Sequence, residues 1–489
     1  MLQRVGRGDG SIRPEIVSKA GSPLGGPDCF MRKTLSDLRL CALICCALAS
    51  ASLEAVEGRL NFILILGEGA GWCSSSVQMD DRNPASKGQG IRTPNLERLA
   101  AAGMRFSDGY AASPRCTPSR AAIFTGRSPA ALGMTFVGEG RGRQAAEPNT
   151  RMITPEALLE LPEAETTIAE LLKSAGYATA HFGKWHVGRA NPGRHGFDES
   201  DGPTGNGGPD NVANPNPKQA LAMTAHGIDF MQRQAKAGRS FYVQLSHYPS
   251  QPEKGGGRNR AAEGGNEEMS SVDRSVGEML DAVERLGLKG STCILYTTDH
   301  GTPGRNGPLS GGKGTVREGG IRVPFIVAGP GIRAGACSHV RVTATDLFPT
   351  LAELAGCKGG LPKGLEGGSL VPLLMNGGTG VVTRPREEFV IHFPHYDKDE
   401  IGPASAILLG NYKLIRVCET GQCRLFDLAA DPGERRDLAR EMPEKLKELD
   451  RRLTGYLLAV GARMPSLNRD YDPAKGTPER RRGRRGEAP

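Results

Sequence analysis

Polar side chains that could bind a metal ion or transfer protons follow three strongly apolar segments, at the point where each segment ends. In chain order they are Glu68 after residues 61–66, His247 after 241–246, and Asp299 with His300 after 293–297. Carboxylate and imidazole groups are the side chains that most often hold divalent ions or act as acids and bases. These segments therefore mark the first candidates for a catalytic centre.

The elements that must position these side chains follow from the apolar periodicity. Apolar, β-branched runs predict buried strands at residues 61–66, 241–246, 293–297 and 323–328. Helix-period segments that stop before a glycine predict helices at 96–102, 167–174 and 269–285. Alternating strands and helices predict an α/β fold, with a mostly parallel central sheet flanked by helices. Because active sites in such sheets lie at the carboxyl ends of the strands, we expect the polar side chains to meet there.

The chain changes character near residue 384. Short runs at 389–393, 412–417 and 424–428 predict antiparallel strands, followed by a helix at 443–458. The expected organisation is an N-terminal extension with a signal peptide at 1–55, a catalytic domain at 56–383, a C-terminal α+β subdomain at 384–466, and a basic, disordered tail at 467–489. Gly- and Pro-rich stretches at 202–217 and 255–265 predict long loops around the active-site edge.

A cysteine that precedes a proline and an arginine carries a resemblance to a known family. The stretch Cys116-Thr117-Pro118-Ser119-Arg120 matches the C-x-P-S-R signature of type I sulfatases, which are members of the alkaline-phosphatase-like superfamily and include arylsulfatases and N-acetylgalactosamine-6-sulfatases. Further segments resemble sulfatase motifs in the family's order, at residues 183–188, 298–301, 311–314, 318–324, 412–415, 425–428 and 431–434. The resemblance extends from about residue 61 to 438, so chance is a poor explanation for it.

The resemblance implies that Cys116 is a modified residue. In type I sulfatases, formylglycine-generating enzyme oxidises the signature cysteine to an aldehyde, 3-oxoalanine (formylglycine). The aldehyde hydrates to a diol, and one of its oxygens attacks sulfur while the alcohol leaves. The second hydroxyl then loses a proton and expels sulfate, which restores the aldehyde. The activity implied is that of a sulfuric ester hydrolase.

The resemblance also assigns roles to charged residues. Arg120, Lys184 and Lys313 match the cations that neutralise the diol and the sulfuryl oxygens. His186 matches the base that deprotonates the diol, and His247 resembles the acid that protonates the leaving oxygen. The predicted catalytic residues are thus Cys116, Arg120, Lys184, His186, His247 and Lys313.

The predicted metal site departs from the family pattern. Where the family has two aspartates after the first strand, this chain has Glu68 and Gly69, so one carboxylate is lost. Asp299 is followed by His300 in place of the commoner asparagine, a variant also found in relatives that act on phosphonate and choline esters. The predicted ligands are Glu68, Cys116, Asp299 and His300. Calcium is the expected ion, with manganese or magnesium as alternatives. Imidazole is a softer ligand than an amide oxygen, which makes calcium less secure and favours manganese.

Three further features leave alternatives open. Asp80 or Asp81 supplies the missing carboxylate, or the two form a solvated pair in a loop. The aromatic stretch 392–396 recognises a sugar, or it packs the junction between the two domains. Cys418 and Cys423 have a spacing that could staple a hairpin, whereas the pairing of the other cysteines cannot be deduced from sequence.

The amino-terminal region predicts export. Met31-Arg32-Lys33 precedes an apolar run at 38–48 and small residues at 49–51, which is the pattern of a signal peptide cleaved near Ala51. The run is too short to span a bilayer. A lipoprotein anchor at Cys45 or Cys46 fits its own pattern poorly. We therefore expect a periplasmic or secreted protein without a membrane span.

Composition narrows the function class further. The chain has 489 residues, 38% of them hydrophobic and 24% charged, which is enough to form a sizeable core. Much of its formal net charge of +8 lies in the arginine run at 480–485, which predicts a solvated tail rather than a nucleic-acid-binding surface.

The expected activity is hydrolysis of a sulfated carbohydrate or aryl ester. The alternatives are a phosphoester or phosphonate hydrolase of the same superfamily, and a non-hydrolytic glycan-binding relative with a degraded metal site.

Overall fold

The computed structural model describes residues 58–137, 149–206, 218–248, 264–303, 306–357, 360–397 and 401–475. The predicted signal peptide, most of both Gly-rich loops and the arginine run lie outside these residues. The described residues belong to a single compact unit, Val56–Pro489. The predicted boundary between residues 383 and 384 stays a prediction. Among the described helices, none is both long enough and apolar enough to cross a membrane.

The secondary structure alternates as the sequence predicts over most of the chain. The strands are β1 Asn61–Gly67, β2 Met104–Phe106, β3 Gly109–Tyr110, β4 Met152–Ile153, β5 Ala178–Gly183, β6 Glu199–Ser200, β7 Phe241–Ser246, β8 Thr292–Thr298, β9 Phe325–Ala328, β10 Ala336–Ser338, β11 Val342–Thr343, β12 Phe389–Phe393, β13 Ala404–Leu409, β14 Tyr412–Val417, β15 Cys423–Asp427 and β16 Ser466–Leu467. The helices are α1 Pro94–Ala102, α2 Cys116–Thr125, α3 Pro129–Leu132, α4 Ile168–Ser174, α5 Lys218–Lys236, α6 Gly264–Arg285, α7 Glu318–Ile321, α8 Leu347–Leu354, α9 Val371–Leu374 and α10 Pro443–Ala459.

An eight-stranded sheet forms the centre of the fold, in the order β10-β2-β9-β8-β1-β7-β5-β6. Strand β1 is parallel to both of its neighbours, β7 and β8, and β5 continues the parallel arrangement beside β7. Only β9 runs against its neighbours, β8 and β2. The predicted α/β fold with a mostly parallel sheet is confirmed, and the reversed β9 is a detail that the apolar pattern did not reveal.

Strand β1 is apolar throughout because both faces of the sheet are covered. Phe62 and Leu64 pack into one core, together with residues of α2, α4 and α8. Ile63 and Ile65 pack into the other core, with residues of α1, α5 and α6. A central parallel strand buried on both faces needs such a continuous apolar run.

A second, smaller sheet has four antiparallel strands in the order β12-β13-β14-β15. Leu449 and Leu453 of α10 cover one face of this sheet, and its other face packs on Tyr110, Val316 and Ile321. The predicted smaller α+β part with an antiparallel sheet is confirmed. Strand β13 was missing from the sequence prediction.

This packing bears on two of the open features of the C-terminal region. The predicted staple is wrong for this structure, since Cys418 and Cys423 are both free thiols and Cys423 Sγ instead faces Asp450 Oδ1 at 3.5 Å. His392 and His395 are buried, and they contact Ser405 and Thr135 through side-chain hydrogen bonds of 2.8 Å. These histidines therefore pack inside the fold, whereas Tyr396 is only partly buried, and sugar recognition by this stretch stays a prediction.

Candidate active site

Four neighbouring strands deliver polar side chains to the same edge of the central sheet. In the strand register, Gly67 of β1 lies beside Thr298 of β8, and Ser246 of β7 lies beside both Leu66 and Gly183. The residues that follow these positions are Glu68, Lys184, His247 and Asp299 with His300. The structure thus brings the strand-end side chains together, in agreement with the position expected from the sheet topology.

Cys116 reaches this edge from helix α2, of which it is the first residue. Its buried Sγ lies 3.1 Å from His300 Nε2 and 3.3 Å from Glu68 Oε1. Burial and the Glu68 carboxylate raise the pKa of the Cys116 thiol, but Lys184, His300 and His186 outweigh them and hold it well below its usual range. The amino terminus of the helix also favours an anion at this position.

Glu68 is the hub of the buried charges. Its Oε2 accepts hydrogen bonds from Lys184 Nζ at 2.8 Å and Arg120 Nη2 at 3.0 Å, and its Oε1 accepts one from Lys313 Nζ at 3.1 Å. Burial raises the pKa of Glu68, but Lys184 and Lys313 lower it by a larger amount, so the pKa lies well below its usual range. The carboxylate is therefore ionised, and it holds three cations around Cys116.

Arg120 connects the two carboxylates of the site. The guanidinium is fully buried, and its Nε donates to Asp299 Oδ2 at 3.1 Å while Nη2 contacts Glu68. Its Nη1 donates to the backbone carbonyl of Lys184. Such multiple contacts fix the planar guanidinium and the two carboxylates relative to each other.

Lys184 and His186 are positioned by a tight turn after β5. Gly183 has φ +95°, and a Cβ at this position would lie 2.1 Å from the Ser246 carbonyl oxygen, so only glycine fits there. His186 adopts a left-handed φ of 59°, and its carbonyl accepts a hydrogen bond from the Thr117 hydroxyl at 2.8 Å. The turn is thereby tied to helix α2, and His186 lies close enough to Cys116 to contribute to the lowered pKa of its thiol.

His247 is buried at the end of β7. Its backbone N–H donates to the Leu66 carbonyl at 2.8 Å, which fixes the residue beside β1. Its Nε2 has no hydrogen-bond partner among the residues that the structure describes. Burial, assisted by Arg120, lowers the pKa of His247 to about 3, so the ring is neutral near pH 7. A buried polar atom without a protein partner is available to a bound ligand.

The predicted metal ligands form one cluster. One ligand atom from each of Glu68, Cys116, Asp299 and His300 lies within 4.8 Å of all the others. His300 Nδ1 lies 2.9 Å from the Gly301 carbonyl, an acceptor, so in the neutral ring the Nε2 lone pair faces Asp299 at 3.4 Å and Glu68 at 3.6 Å. This backbone-anchored imidazole beside two carboxylates is the arrangement of a metal-ligating histidine.

A metal ion competes with a proton at this histidine. Burial lowers the pKa of His300, but the Asp299 carboxylate and the Cys116 sulfur raise it to about 9. Binding of an ion at Nε2 would therefore release a proton. Carboxylate and imidazole donors fit a divalent ion, so the donor set agrees with a metal-dependent site.

Comparison with known proteins assigns the chain to a family. The family model for sulfatases matches residues 60–357, and a model described as N-sulphoglucosamine sulphohydrolase, C-terminal, matches residues 312–460. The chain belongs to the sulfatase family. Members of this family are metal-dependent and hydrolyse sulfuric esters.

Individual relatives support this assignment. N-acetylgalactosamine-6-sulfatase of Sus scrofa is 32% identical over 65% of this chain and 66% of its own length, so the chain spans about two thirds of that relative. Arylsulfatase A of Homo sapiens is 30% identical over 82% of this chain and 88% of the relative. The crystal structure of Ps i-CgsB in complex with k-i-k-neocarrahexaose has the same fold, with a TM-score of 0.66, 24% identity, and coverage of 82% of this chain and 93% of that chain.

The two departures of this sulfatase from the family's metal motif are complementary in space. Gly69 has φ +62°, and a Cβ at this position would lie 3.2 Å from Cε1 of His300. The imidazole therefore approaches the space that a side chain at residue 69 would enter. The Gly69 N–H donates to Asp299 Oδ1 at 3.1 Å, so the backbone still contacts the site. The sequence showed each change separately but not that they touch.

Asp80 and Asp81 do not replace the missing carboxylate of this sulfatase. Asp80 is held by Arg82, whose Nε donates to Asp80 Oδ1 at 3.2 Å. Asp81 Oδ1 lies 3.2 Å from Nε2 of His339, within a separate group of side chains. Of the two alternatives left open by the sequence, replacement of the lost ligand is therefore wrong, because the loop carrying these residues turns toward strand β10.

A second buried charge network supports the segment that carries Lys313. Lys413 of β14 is fully buried, and its Nζ contacts Glu318 at 2.9 Å and Glu434 at 2.8 Å. Glu434 accepts a hydrogen bond from the Glu318 backbone N–H at 2.9 Å, and Tyr110 donates to Glu318 at 2.8 Å. We call Lys413, Glu318 and Glu434 the Lys413 cluster. Each of its residues lies in a motif that carried the resemblance, but the sequence did not reveal that they pair.

Proposed function

We propose that this protein is an exported sulfuric ester hydrolase that removes sulfate from a sulfated carbohydrate, with the aldehyde residue made from Cys116 as its nucleophile. Sulfuric ester hydrolysis is the activity that the curated relatives' names state. The observation that carries the proposal for this chain is the position of Cys116 Sγ, which lies beside Glu68 and His300 at the amino terminus of α2. This sulfur occupies the place of the diol oxygens that the modified residue would carry.

The cations of the site support the displacement at sulfur. Arg120 and Lys184 are fully buried, whereas the Lys313 side chain is 17% exposed. The ester therefore enters on the side of Lys313, and its sulfuryl oxygens meet donors that are already in place. Prearranged cations stabilise the charge that develops on these oxygens without reorganising during the reaction.

Two histidines divide the proton transfers. His186 is the proposed base that takes the proton of the diol, since its carbonyl holds the Thr117 hydroxyl beside residue 116 and its side chain acts on the pKa of that residue. His247 is the proposed donor to the leaving oxygen, since its Nε2 is unpaired among the described residues. With a pKa of about 3, the free His247 ring is neutral and offers the leaving oxygen only an N–H hydrogen bond. To protonate that oxygen, His247 must first take up a proton, which the negative charge of a bound sulfate ester would favour by raising its pKa.

We infer that the metal ion is held by Glu68, Asp299, His300 and the modified residue 116. A bound divalent ion would polarise the oxygens of residue 116 and of the sulfate group. Calcium agrees with the two carboxylates, while the His300 nitrogen strengthens manganese as a competitor, with magnesium as the third candidate.

The proposed ligands are tested by measuring which metal ion the protein binds, and not by measuring activity. Protein dialysed against equimolar calcium, manganese and magnesium is analysed for bound metal beside the His300→Asn variant. We expect the variant to exchange nitrogen for oxygen and to shift its bound metal toward calcium. An unchanged metal ratio would contradict ligation by His300.

The substrate is proposed from the relatives and the charge of the site. One relative is named for a sulfated amino sugar, and a protein with the same fold binds a neocarrahexaose. Turnover of sulfated monosaccharides, an aryl sulfate and the matching phosphate esters is compared in one preparation matured by formylglycine-generating enzyme. We expect sulfate esters to be preferred. Preferred phosphate turnover would favour the phosphoester hydrolase, and binding of glycans without turnover would favour the non-hydrolytic relative.

A further inference from the structure

We propose that Asp81, Cys337 and His339 form a second metal-binding site, which takes a divalent transition-metal ion of the zinc class. One ligand atom from each of the three residues lies within 4.8 Å of the other two. Cys337 lies on β10, His339 follows that strand, and Asp81 lies in the loop after β1. The site goes beyond the proposed hydrolase function and shares no residue with it.

The hydrogen bonds around His339 fix which ring nitrogen faces the other ligands. Ser107 Oγ donates to Asp108 Oδ2 at 2.6 Å, and the Asp108 carboxylate also pairs with Arg322 at 3.1 Å. A serine hydroxyl has one proton, so Ser107 Oγ must accept from His339 Nδ1, which lies 3.0 Å away. In the neutral ring, Nε2 therefore carries the lone pair.

This lone pair points at another acceptor. His339 Nε2 lies 3.2 Å from Asp81 Oδ1, and Cys337 Sγ belongs to the same group, whose ligand atoms lie within 4.8 Å of one another. Two acceptors at hydrogen-bond distance repel each other unless a cation lies between them or the ring is doubly protonated. A metal ion satisfies the nitrogen, the carboxylate and the sulfur together.

The donor types select the class of ion. One thiolate, one imidazole and one carboxylate suit zinc and related transition ions, whereas calcium and magnesium prefer oxygen ligands alone. The Asp81 side chain is 48% exposed, so solvent can complete the coordination. The neighbouring charges have opposite effects on a bound cation. The negative charge of Asp80 favours it, whereas the positive charges of Arg82 and Arg105 disfavour it.

The site arranges its histidine as the catalytic centre does. In both places Nδ1 of a histidine is held by an oxygen of the protein, Nε2 faces a carboxylate, and a cysteine sulfur belongs to the same group of ligand atoms. Such orientation by a second contact is typical of ligating histidines. Strand β10 is an edge of the central sheet, so an ion here would join that edge to the loop carrying Asp81.

Cobalt(II) is the probe, because a thiolate ligand gives it a charge-transfer absorption band. The Cys116→Ala variant is titrated first, so that the catalytic sulfur contributes nothing. We expect a thiolate-to-cobalt band that zinc abolishes. In Cys116→Ala/Cys337→Ser the band is lost, and in Cys116→Ala/His339→Gln the affinity falls by at least about tenfold.

The matched control is Cys116→Ala/Cys357→Ser, which removes another partly buried thiol and keeps the band. Thermal unfolding of each variant without metal checks that the fold is intact. The proposal is overturned if Cys116→Ala gives no band, or if the band survives Cys337→Ser. Because neither readout measures ester hydrolysis, failure here is separable from failure of the proposed hydrolase function.

Discussion

The active site and the Lys413 cluster are both buried networks of charge, but only one of them is left open. Around Cys116, three cations face two carboxylates, and one of the cations, Lys313, reaches solvent. In the other network, Lys413 is enclosed between Glu318 and Glu434 and is fully buried. The first network has positive charge to offer an anionic ligand, and the second satisfies its cation internally. Buried charges in this protein therefore have two different roles, which are binding of an anionic ligand and stabilisation of the fold.

The largest effect is expected from the nucleophile. Cys116→Ala removes the proposed nucleophile, and we expect kcat/KM for sulfate esters to fall by about 10⁴-fold or more, which is about 5.4 kcal/mol of transition-state free energy. Urea unfolding should show little change, because the substitution removes one small group. Activity close to that of the parent protein would show that the nucleophile lies elsewhere.

Removing the cation of the Lys413 cluster is expected to lower the stability of the fold and not to act on the reaction itself. Lys413→Met leaves two buried carboxylates without their cation, so the free energy of unfolding should fall by about 3–5 kcal/mol. The matched control is Lys445→Met, which breaks a partly exposed pair with Glu448 and should change stability by about 1 kcal/mol at most. Equal effects of the two substitutions in urea unfolding would contradict the role given to this cluster.

Lys313 tests whether the open network acts on the reaction. Lys313→Met leaves Glu68 paired with Arg120 and Lys184, so the fold should be retained. We expect kcat/KM to fall by about 10²–10³, or about 2.7–4 kcal/mol. The contradicting result is an unaltered kcat/KM accompanied by a large loss of stability, since that pattern belongs to the closed network.

The smallest effect concerns the contact between Gly69 and His300. Gly69→Asp places a side chain at φ +62° against the imidazole, and we expect a destabilisation of about 1–3 kcal/mol. Combining it with His300→Asn should recover part of that loss, with a coupling free energy of about 0.5–3 kcal/mol in a double-mutant cycle. Strictly additive effects would show that the two positions do not interact.

Three of the four strands that form the site were predictable from sequence, because their signals are local, whereas β5, which precedes Lys184, was not predicted. The runs that became β1, β7 and β8 are apolar on both faces and end in polar residues. The reversal of β9 and the existence of β13 were not predictable in this way. Strand direction and short strands depend on pairing with distant segments, which apolar periodicity does not record.

The candidate site was predictable in its members but not in its contacts. Glu68, Cys116 and His300 each lie in a motif, whereas the fit between Gly69 and His300 depends on a loop approaching from another strand. Asp81 shows the opposite case, since its nearest ligand-type partners, Cys337 and His339, lie far along the chain and in no motif. Proximity of this kind is a property of the fold and leaves no local pattern.

The most direct test of the account is the chemical state of residue 116 in active protein. The protein is produced with formylglycine-generating enzyme, digested, and the peptide that carries residue 116 is measured by mass spectrometry and by capture with a hydrazine reagent. We predict that the peptide has lost its sulfur, carries an aldehyde, and rises in proportion to sulfatase activity across preparations. An unmodified thiol in protein that hydrolyses sulfate esters would contradict the central claim.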